Sequence, residues 1–286
     1  MSAPRDPDHP DDLVITSPAN PRLKALVALR RRRFREETGT TLVEGYEELA
    51  LALSAGVTPT AAYICPELFS PAARAGGQDI GLQGDLLARL RRRGVEVVRL
   101  DRAAFEKVAY REGPDGLLAV VPAVGRRVQE LPVGRRDLTL ICQGVEKPGN
   151  LGAMLRTADA AAVAAVVAAD PVTDWGNPNV VRASKGTVFA VPVAQGSTQQ
   201  TLDWVQGNGI RLVVTTPDTD TEHTQIDYRG RVAIAVGSEK HGADDLLLAA
   251  ADARVRIPMA GRVNSLNVSV AAAIVLFEAV RQRRDR

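Results

Sequence analysis

Six short apolar runs in the second half of this chain constrain its fold more than any other feature: 138–142, 163–168, 188–193, 210–215, 232–236 and 255–257. Most are apolar at successive rather than alternate positions and so read as strands covered on both faces. Helical segments lie between most of them, which predicts a mainly parallel sheet sandwiched by helices. In open sheets of that kind ligands sit beyond the C-terminal strand ends, so the chemistry is sought in the loops that follow each run.

The first half reads as a separate, smaller α/β domain over 13–122. It has a helix over 23–35, a strand at 41–43 followed by Glu44-Gly45, a helix over 46–54, a strand at 61–65, a helix over 85–93, and strands at 95–100 and 117–121. Between the halves, 123–136 carries Arg126, Arg127, Pro132, Gly134, Arg135 and Arg136 with few apolar anchors and reads as a linker, leaving 137–286 as the second domain. With 286 residues and 45% hydrophobic content, both halves can bury a core. Residues 1–12, rich in Pro and Asp, read as a disordered tail, without the apolar centre of a signal peptide. No apolar run approaches the roughly 18 residues of a membrane span. A cytoplasmic protein is expected. Cys65 and Cys142 are far apart in sequence and have no clustered His or Cys, so buried free thiols are expected rather than a metal site or disulfide framework. No internal repeat is present.

Charge is unevenly spread. Residues 13–136 hold 20 Lys/Arg against 14 Asp/Glu, while 137–286 hold 15 against 16. The excess includes Arg22, Lys24, Arg30, Arg31, Arg32, Arg33 and Arg35, and again the three arginines at 91–93. Clusters of one sign attract phosphate backbones and release counterions; a solvated helical face accounts for such a run equally well.

Three post-strand loops stand out. The first runs from Gln143 through Pro148-Gly149-Asn150-Leu151-Gly152 into a helix bearing Arg156-Thr157. Leu151, Met154, Leu155 and Ala158 share one face of that helix, and Arg156 lies about 140° round from Leu151, free to reach out of the core. The second loop is Gly237-Ser238-Glu239-Lys240-His241-Gly242. The third is Ile257-Pro258-Met259 followed by Ser265-Leu266-Asn267-Val268-Ser269, at the mouth of a helix apolar around nearly its whole circumference and therefore expected to be buried. Taken singly, such residues are ordinary turn formers and helix caps.

Taken together, Asn150-x-Gly152-x-x-x-Arg156-Thr157, then Gly237-Ser238-Glu239-x-x-Gly242, then Ile257-Pro258-Met259 with Ser265-Leu266-Asn267-Val268-Ser269 resemble the motifs of SpoU, or TrmH-type, RNA ribose 2′-O-methyltransferases of the SPOUT superfamily. In the first half, Ser17-x-x-Asn20-Pro21-x-x-Lys24, Leu42-Val43-Glu44-Gly45 and Gly113-x-x-Gly116-Leu117-Leu118-Ala119 resemble the family's substrate domain. Within the family, the chain is similar to actinobacterial 23S ribosomal-RNA methyltransferases that confer antibiotic resistance, including the avilamycin-resistance type.

The resemblance implies an N-terminal ribosomal-protein-L30e-like α/β domain and a C-terminal SPOUT α/β domain with a mainly parallel sheet and a deep trefoil knot. It implies S-adenosylmethionine as methyl donor, ribosomal RNA, most of all 23S, as substrate, and a homodimer formed through the C-terminal domain. It implies neither a metal nor a membrane. Asn150, Arg156, Glu239, Ser265 and Asn267 are the implied catalytic group; Thr215, Thr216, Gly237, Ile257, Met259 and Leu266 line the donor pocket. Arg182 joins the basic residues of the first half as RNA-facing. For Arg156 two roles stay open, removing the proton or orienting the reacting groups, because a guanidinium is protonated in almost any setting. The chain departs from the family in having Glu146-Lys147-Pro148-Gly149 where Asp-Pro is frequent, and His241 where a smaller residue is frequent. The rival expectations are transfer-RNA 2′-O-methylation and a non-catalytic RNA-binding protein of the same fold. A nucleotide-dependent oxidoreductase is disfavoured, since no Gly-x-Gly-x-x-Gly follows the first strand of either half.

Overall fold

The structure, a computed structural model, describes residues 12–69 and 79–284. Apart from Asp12, the expected disordered tail lies outside the described residues. The chain packs as two compact units, Met1–Ala123 with Gly176–Phe189, and Val124–Trp175 with Ala190–Arg286.

The first unit contains β1 (Leu13–Ile15), α1 (Pro21–Ala28), α2 (Arg32–Thr38), β2 (Thr40–Glu44), α3 (Tyr46–Ser54), β3 (Ala61–Ile64), α4 (Asp79–Arg92), β4 (Glu96–Leu100), α5 (Arg102–Val108) and β5 (Leu117–Pro122). Its sheet has the order β1-β4-β3-β5-β2, with β1, β4 and β3 parallel and β5 antiparallel to both β3 and β2. Leu23, Leu26, Leu42, Val98, Leu100, Phe105 and Leu118 fill the core.

The single helix expected over 23–35 is two. Asn20 caps α1 by accepting from the Arg22 N–H, and Leu23, Leu26 and Leu29 keep the expected buried stripe, but the helix stops at Ala28. Arg35, only 3% exposed, turns back from α2 and donates to the carbonyls of Leu29 and Arg30, 2.9 Å each. Arg30 donates to the carbonyls of Lys107, Val108 and Ala109 at the end of α5. Carbonyls at a helix C-terminus lack intrahelical donors and carry negative partial charge, so cations settle there. Arg35 was expected to face RNA; it is instead a buried structural residue. The guanidinium of Arg30 is exposed but committed to a helix end.

The second unit begins with β6 (Arg126–Arg127), in the stretch expected to be a linker. These arginines extend the sheet edge beside Ala194 and Gln195, and Val128 and Leu131 just beyond are buried in the core. β7 (Leu138–Gln143), α6 (Pro148–Ala160), β8 (Ala165–Ala169), α7 (Pro178–Ala183), β9 (Val193–Gly196), α8 (Thr198–Gly207), β10 (Arg211–Thr215), β11 (Val232–Val236), α9 (Asp245–Ala249), β12 (Ala253–Val255) and α10 (Val268–Arg284) follow. The sheet order is β12-β10-β11-β7-β8-β9-β6 and every neighbouring pair is parallel. The strand expected at 188–193 lies later: Thr187–Phe189 forms a single 3-10 turn, and pairing with β8 begins at Val193, just after Pro192, which has no N–H to give.

α7 and its flanks leave this unit and pack with the first. The Thr41 hydroxyl donates to the Gly176 carbonyl, and Lys185 Nζ pairs with Glu47 at 2.7 Å. At Gly186, φ is +82° and a Cβ would lie 2.9 Å from the Glu48 carbonyl oxygen, so only glycine fits. Arg182, exposed on α7, therefore belongs with the basic residues of the first unit.

α10 packs on α6 and β11 through Ala272, Val275, Leu276 and Ala279. It is not buried all round as expected: Val270 and Phe277 remain 46% and 47% exposed.

Candidate active site at the strand switch

In the parallel sheet, the strands after β7 are laid down first on one side, as β8 and β9, and then on the other, as β11, β10 and β12. The order reverses between β7 and β11, and a crevice opens at the C-terminal ends of strands that diverge in this way. The loop after β7 carries Asn150, and the loop after β11 carries Glu239. The segment entering α10 brings Asn267 to Asn150.

Asn150 Nδ2 donates to Glu239 Oε1 at 2.8 Å, and Asn267 Nδ2 donates to Asn150 Oδ1 at 3.1 Å. The orientation of Asn267 is dictated by its cap role: its Oδ1 accepts from the Ser269 N–H at 2.9 Å and the Ser269 hydroxyl at 2.7 Å, leaving the amide nitrogen for Asn150. Burial acts to raise the Glu239 carboxyl, but hydrogen bonds from Asn150 and from the backbone N–H groups of Glu239, Glu146 and Lys147 outweigh it and hold the group below the usual range. An ionised carboxylate only accepts, so Glu239 fixes the Asn150 amide with its nitrogen towards Glu239 and Oδ1 towards Asn267. One lone pair of Oδ1 is left for a ligand hydroxyl.

The neck of the 238–242 loop is closed by reciprocal backbone bonds between Ser238 and Gly242 at 2.9 and 3.0 Å. A Cβ at Gly237 would sit 2.0 Å from the Ala243 nitrogen and the Gly242 carbonyl carbon, and neither backbone atom can yield without reopening the loop. Gly237→Ala is expected to cost about 2 kcal/mol of stability, read by urea denaturation. An unchanged midpoint would mean the neck is looser than these contacts require.

The other expected site residues divide by position. Thr215 and Thr216 end β10; the Thr215 hydroxyl donates to the Ala235 carbonyl and the Thr216 N–H to the Val255 carbonyl. Ile257 follows β12, and Met259 and Leu266 lie exposed beyond it. Ile257 and Leu266 form no hydrogen bond with another described residue, so their N–H and C=O groups are free to bind a heterocycle edge-on. Thr215, Thr216, Gly237 and Ile257 thus lie at or just beyond the ends of three adjacent strands, a fit to an adenosyl group held by backbone contacts. Ser265 is exposed, makes no hydrogen bond with a described residue, and does not cap α10; Asn267 does.

Arg156 is also exposed and without a partner among the described residues. It lies six residues beyond Asn150 on α6, about 9 Å along the axis and roughly 120° away around it. The structure thus unites Asn150, Glu239 and Asn267 by hydrogen bonds, to which Arg156 and Ser265 add none. Sequence reasoning missed the backbone N–H groups of Glu146 and Lys147, which have no identity-specific signal, and gave no role to Ser269, although it lies within the third motif.

Of the basic residues, Arg22 pairs with Glu96, Arg32 with Glu36 and Arg33 with Glu37, all at the surface. Lys24 and Arg31 are exposed with no partner among the described residues. Exposed pairs of this kind are worth little, so their cations remain exchangeable to phosphate.

A small basic α/β unit joined to a parallel α/β unit, with a polar site on its switch-point loops, is the architecture of an RNA-modifying enzyme. Residues 137–277 match the SpoU rRNA Methylase family and residues 20–119 the MRM3-like substrate binding domain. The chain is 34% identical over 204 residues to a 23S rRNA (guanosine-2′-O-)-methyltransferase, RlmB, of Ralstonia nicotianae, covering 70% of this chain and 82% of that one. It superposes on a crystal structure of an RNA 2′-O ribose methyltransferase with a TM-score of 0.81 at 38% identity, covering 95% and 99% of the two chains. The SpoU methyltransferase AviRb from Streptomyces viridochromogenes, solved in complex with the cofactor AdoMet, gives a TM-score of 0.79 at 28% identity over 92% and 99%. The chain belongs to the SpoU rRNA methylase family.

Proposed function

We infer that the protein transfers a methyl group from S-adenosylmethionine to a ribose 2′-hydroxyl of 23S ribosomal RNA. The observation that carries this is the Glu239–Asn150–Asn267 set at the switch point of a SpoU-family sheet, which fixes a carbonyl oxygen that keeps a lone pair to receive a hydroxyl. S-adenosylmethionine supplies an electrophilic methyl on sulfur; the chain's own residues orient the hydroxyl and cradle the adenosyl group between Gly237, Ile257 and Leu266. The test is incubation with labelled S-adenosylmethionine and ribosomal RNA as naked RNA, subunits and ribosomes, then mapping of the product. Absence of 2′-O-methyl nucleotide from all three sinks this function. Labelling of transfer RNA in their place would select the rival substrate.

The finer features of the fold belong to the same proposal. The β10–β11 connection lies over the end of α10, where the Gln282 amide donates to the Ile226 carbonyl and accepts from the Tyr228 N–H, while Thr221 and His223 pair with the backbone of Arg256. Contact between the last helix and an earlier connection supports a trefoil knot. A mixed five-stranded sheet flanked by helices, with exposed Lys24, Arg31 and Arg182, supports an L30e-like RNA-binding domain. Resistance to a ribosome-targeting antibiotic rests on the likeness to AviRb, and its test is the drug sensitivity of a host expressing this chain.

A homodimer through α10 is supported by its uncovered stripe: Val270, Ala273, Ile274 and Phe277 share one face, and the segment leading into the helix exposes Met259, Val263 and Leu266 as well. It also gives Arg156, which faces away from its own Asn150, a site in the partner subunit to complete. Phe277→Glu is expected to weaken self-association at least roughly tenfold, seen as monomer in sedimentation. A variant that stays dimeric at the same concentration would move the interface elsewhere.

A further inference from the structure

A second polar chain runs behind the site. Gln143, the last residue of β7, is only 4% exposed, and Thr198, at the first turn of α8, only 3%. Gln143 Nε2 donates to the Thr198 hydroxyl at 2.8 Å, and that hydroxyl donates to Asp170 Oδ2 at 2.5 Å. The other end of the Gln143 amide, Oε1, accepts from the Asp244 N–H at 2.9 Å. Asp244 closes the 237–243 loop, and its carboxylate in turn caps α9 through the Leu247 N–H at 2.8 Å. Each group thus has its role dictated by the next: Thr198 donates to Asp170 Oδ2 and accepts from the Gln143 amide nitrogen, which fixes the amide with its oxygen towards Asp244. Asp170 is held at a φ of +48°, where its carboxylate also accepts from the Thr198 N–H at 3.2 Å. A non-glycine residue in that conformation is held there against a conformational cost. Nothing in the core demands such a chain, since a buried polar relay is less favourable than apolar packing unless fully satisfied. Its output is the base of the loop whose tip carries Glu239.

We propose that Gln143 and Thr198 are positioning residues for methyl transfer, setting the 237–243 loop so that Glu239 holds the Asn150 amide in register with the ribose hydroxyl. This rests on the function proposed for the site. It assigns a task to buried residues that no motif of the chain includes, and it links the ends of β7 and β8 and the start of α8 to the catalytic loop by hydrogen bonds alone.

The test is steady-state kinetics of the full chain with S-adenosylmethionine and 23S ribosomal RNA. Thr198→Val keeps the shape and removes both hydroxyl bonds; kcat is expected to fall roughly tenfold to a hundredfold while KM for RNA stays within about twofold, and Thr198→Ser is expected to recover most of the loss. Because the effect passes through Asn150, Thr198→Val in an Asn150→Ala background is expected to cost less than about twofold more. Equal losses in both backgrounds, or a Thr198→Val enzyme with unchanged kcat, overturn the proposal. If Thr198→Val does not fold, Gln143→Asn, which shortens the reach to Asp244 by one methylene, is put through the same cycle, and equal losses or an unchanged kcat overturn the proposal there too. A wild-type protein that methylates nothing overturns the function itself; an active wild type with indifferent variants overturns only the positioning role.

Discussion

Asn150→Ala is expected to lower the rate of methyl transfer by roughly a hundredfold or more while leaving S-adenosylmethionine affinity nearly unchanged. The expectation follows from what the side chain touches. Asn150 bonds to Glu239 and Asn267, and the residues that flank the proposed donor pocket, at the ends of β10, β11 and β12, do not depend on it. Removing the amide leaves the Glu239 carboxylate with its backbone donors, so the loop persists while the hydroxyl-orienting oxygen is lost. Single-turnover kinetics beside calorimetric donor binding separates the two effects; loss of donor binding would reassign Asn150 to the cofactor pocket. Arg156→Ala is expected to reduce transfer comparably, but through the partner subunit's site. Mixed subunits decide this. If each site takes Asn150 from one chain and Arg156 from the other, an equal mixture of the two inactive variants forms hybrids with one intact site, recovering about a quarter of the wild-type rate. If Arg156 serves its own chain, every hybrid site is broken and nothing is recovered.

The parts of the fold that could be seen in the sequence are those whose signal is local. β11 is a continuous run of β-branched and small apolar residues and β10 carries Leu212, Val213 and Val214 buried between its ends, the pattern of strands covered on both faces. β1 and β6 escaped because each is a short strand whose partner is distant: Leu13 pairs with Val98, and Arg126 with Ala194, where charged side chains conceal the pairing. The break between α1 and α2 escaped for another reason. Leu23, Leu26 and Leu29 keep helical spacing up to the bend, and what ends the helix is a guanidinium reaching back from Arg35, a tertiary act that reads in sequence as one more surface charge. In the site, Asn150, Glu239 and Asn267 were legible only through the family motifs, being up to 117 residues apart. Gln143, Thr198 and Asp170 had no such guide, because a buried Gln or Thr has the same residue type as any exposed one; only geometry separates them.

Glu44→Gln is expected to stabilise the protein by about 3 kcal/mol above pH 7 and by less than about 1 kcal/mol near pH 5. Glu44 ends β2 with 0% exposure; one carboxyl oxygen accepts from the Tyr110 N–H at 2.7 Å, and the other, Oε1, is buried with no partner among the described residues. Burial pushes the carboxyl up to about 7, and Asp115 adds to the rise; the Tyr110 bond and the charge of Arg111 act in the opposite direction without cancelling it. Between the ordinary carboxyl value of 4.5 and about 7, the folded chain keeps a proton that the unfolded chain has released. Stability therefore falls as pH rises through that window, by about 1.4 kcal/mol for each unit of difference, and the loss is complete above it. An amide has the same shape and an acceptor for Tyr110 but nothing to ionise, so the variant escapes the loss. Glu48, also raised by burial, is untouched by the substitution and contributes equally to both proteins. Urea denaturation of the pair at pH 5 and pH 8 measures the difference directly. A stability gap of the same size at both values would show that the effect is one of packing and that Glu44 is ionised in the folded unit throughout.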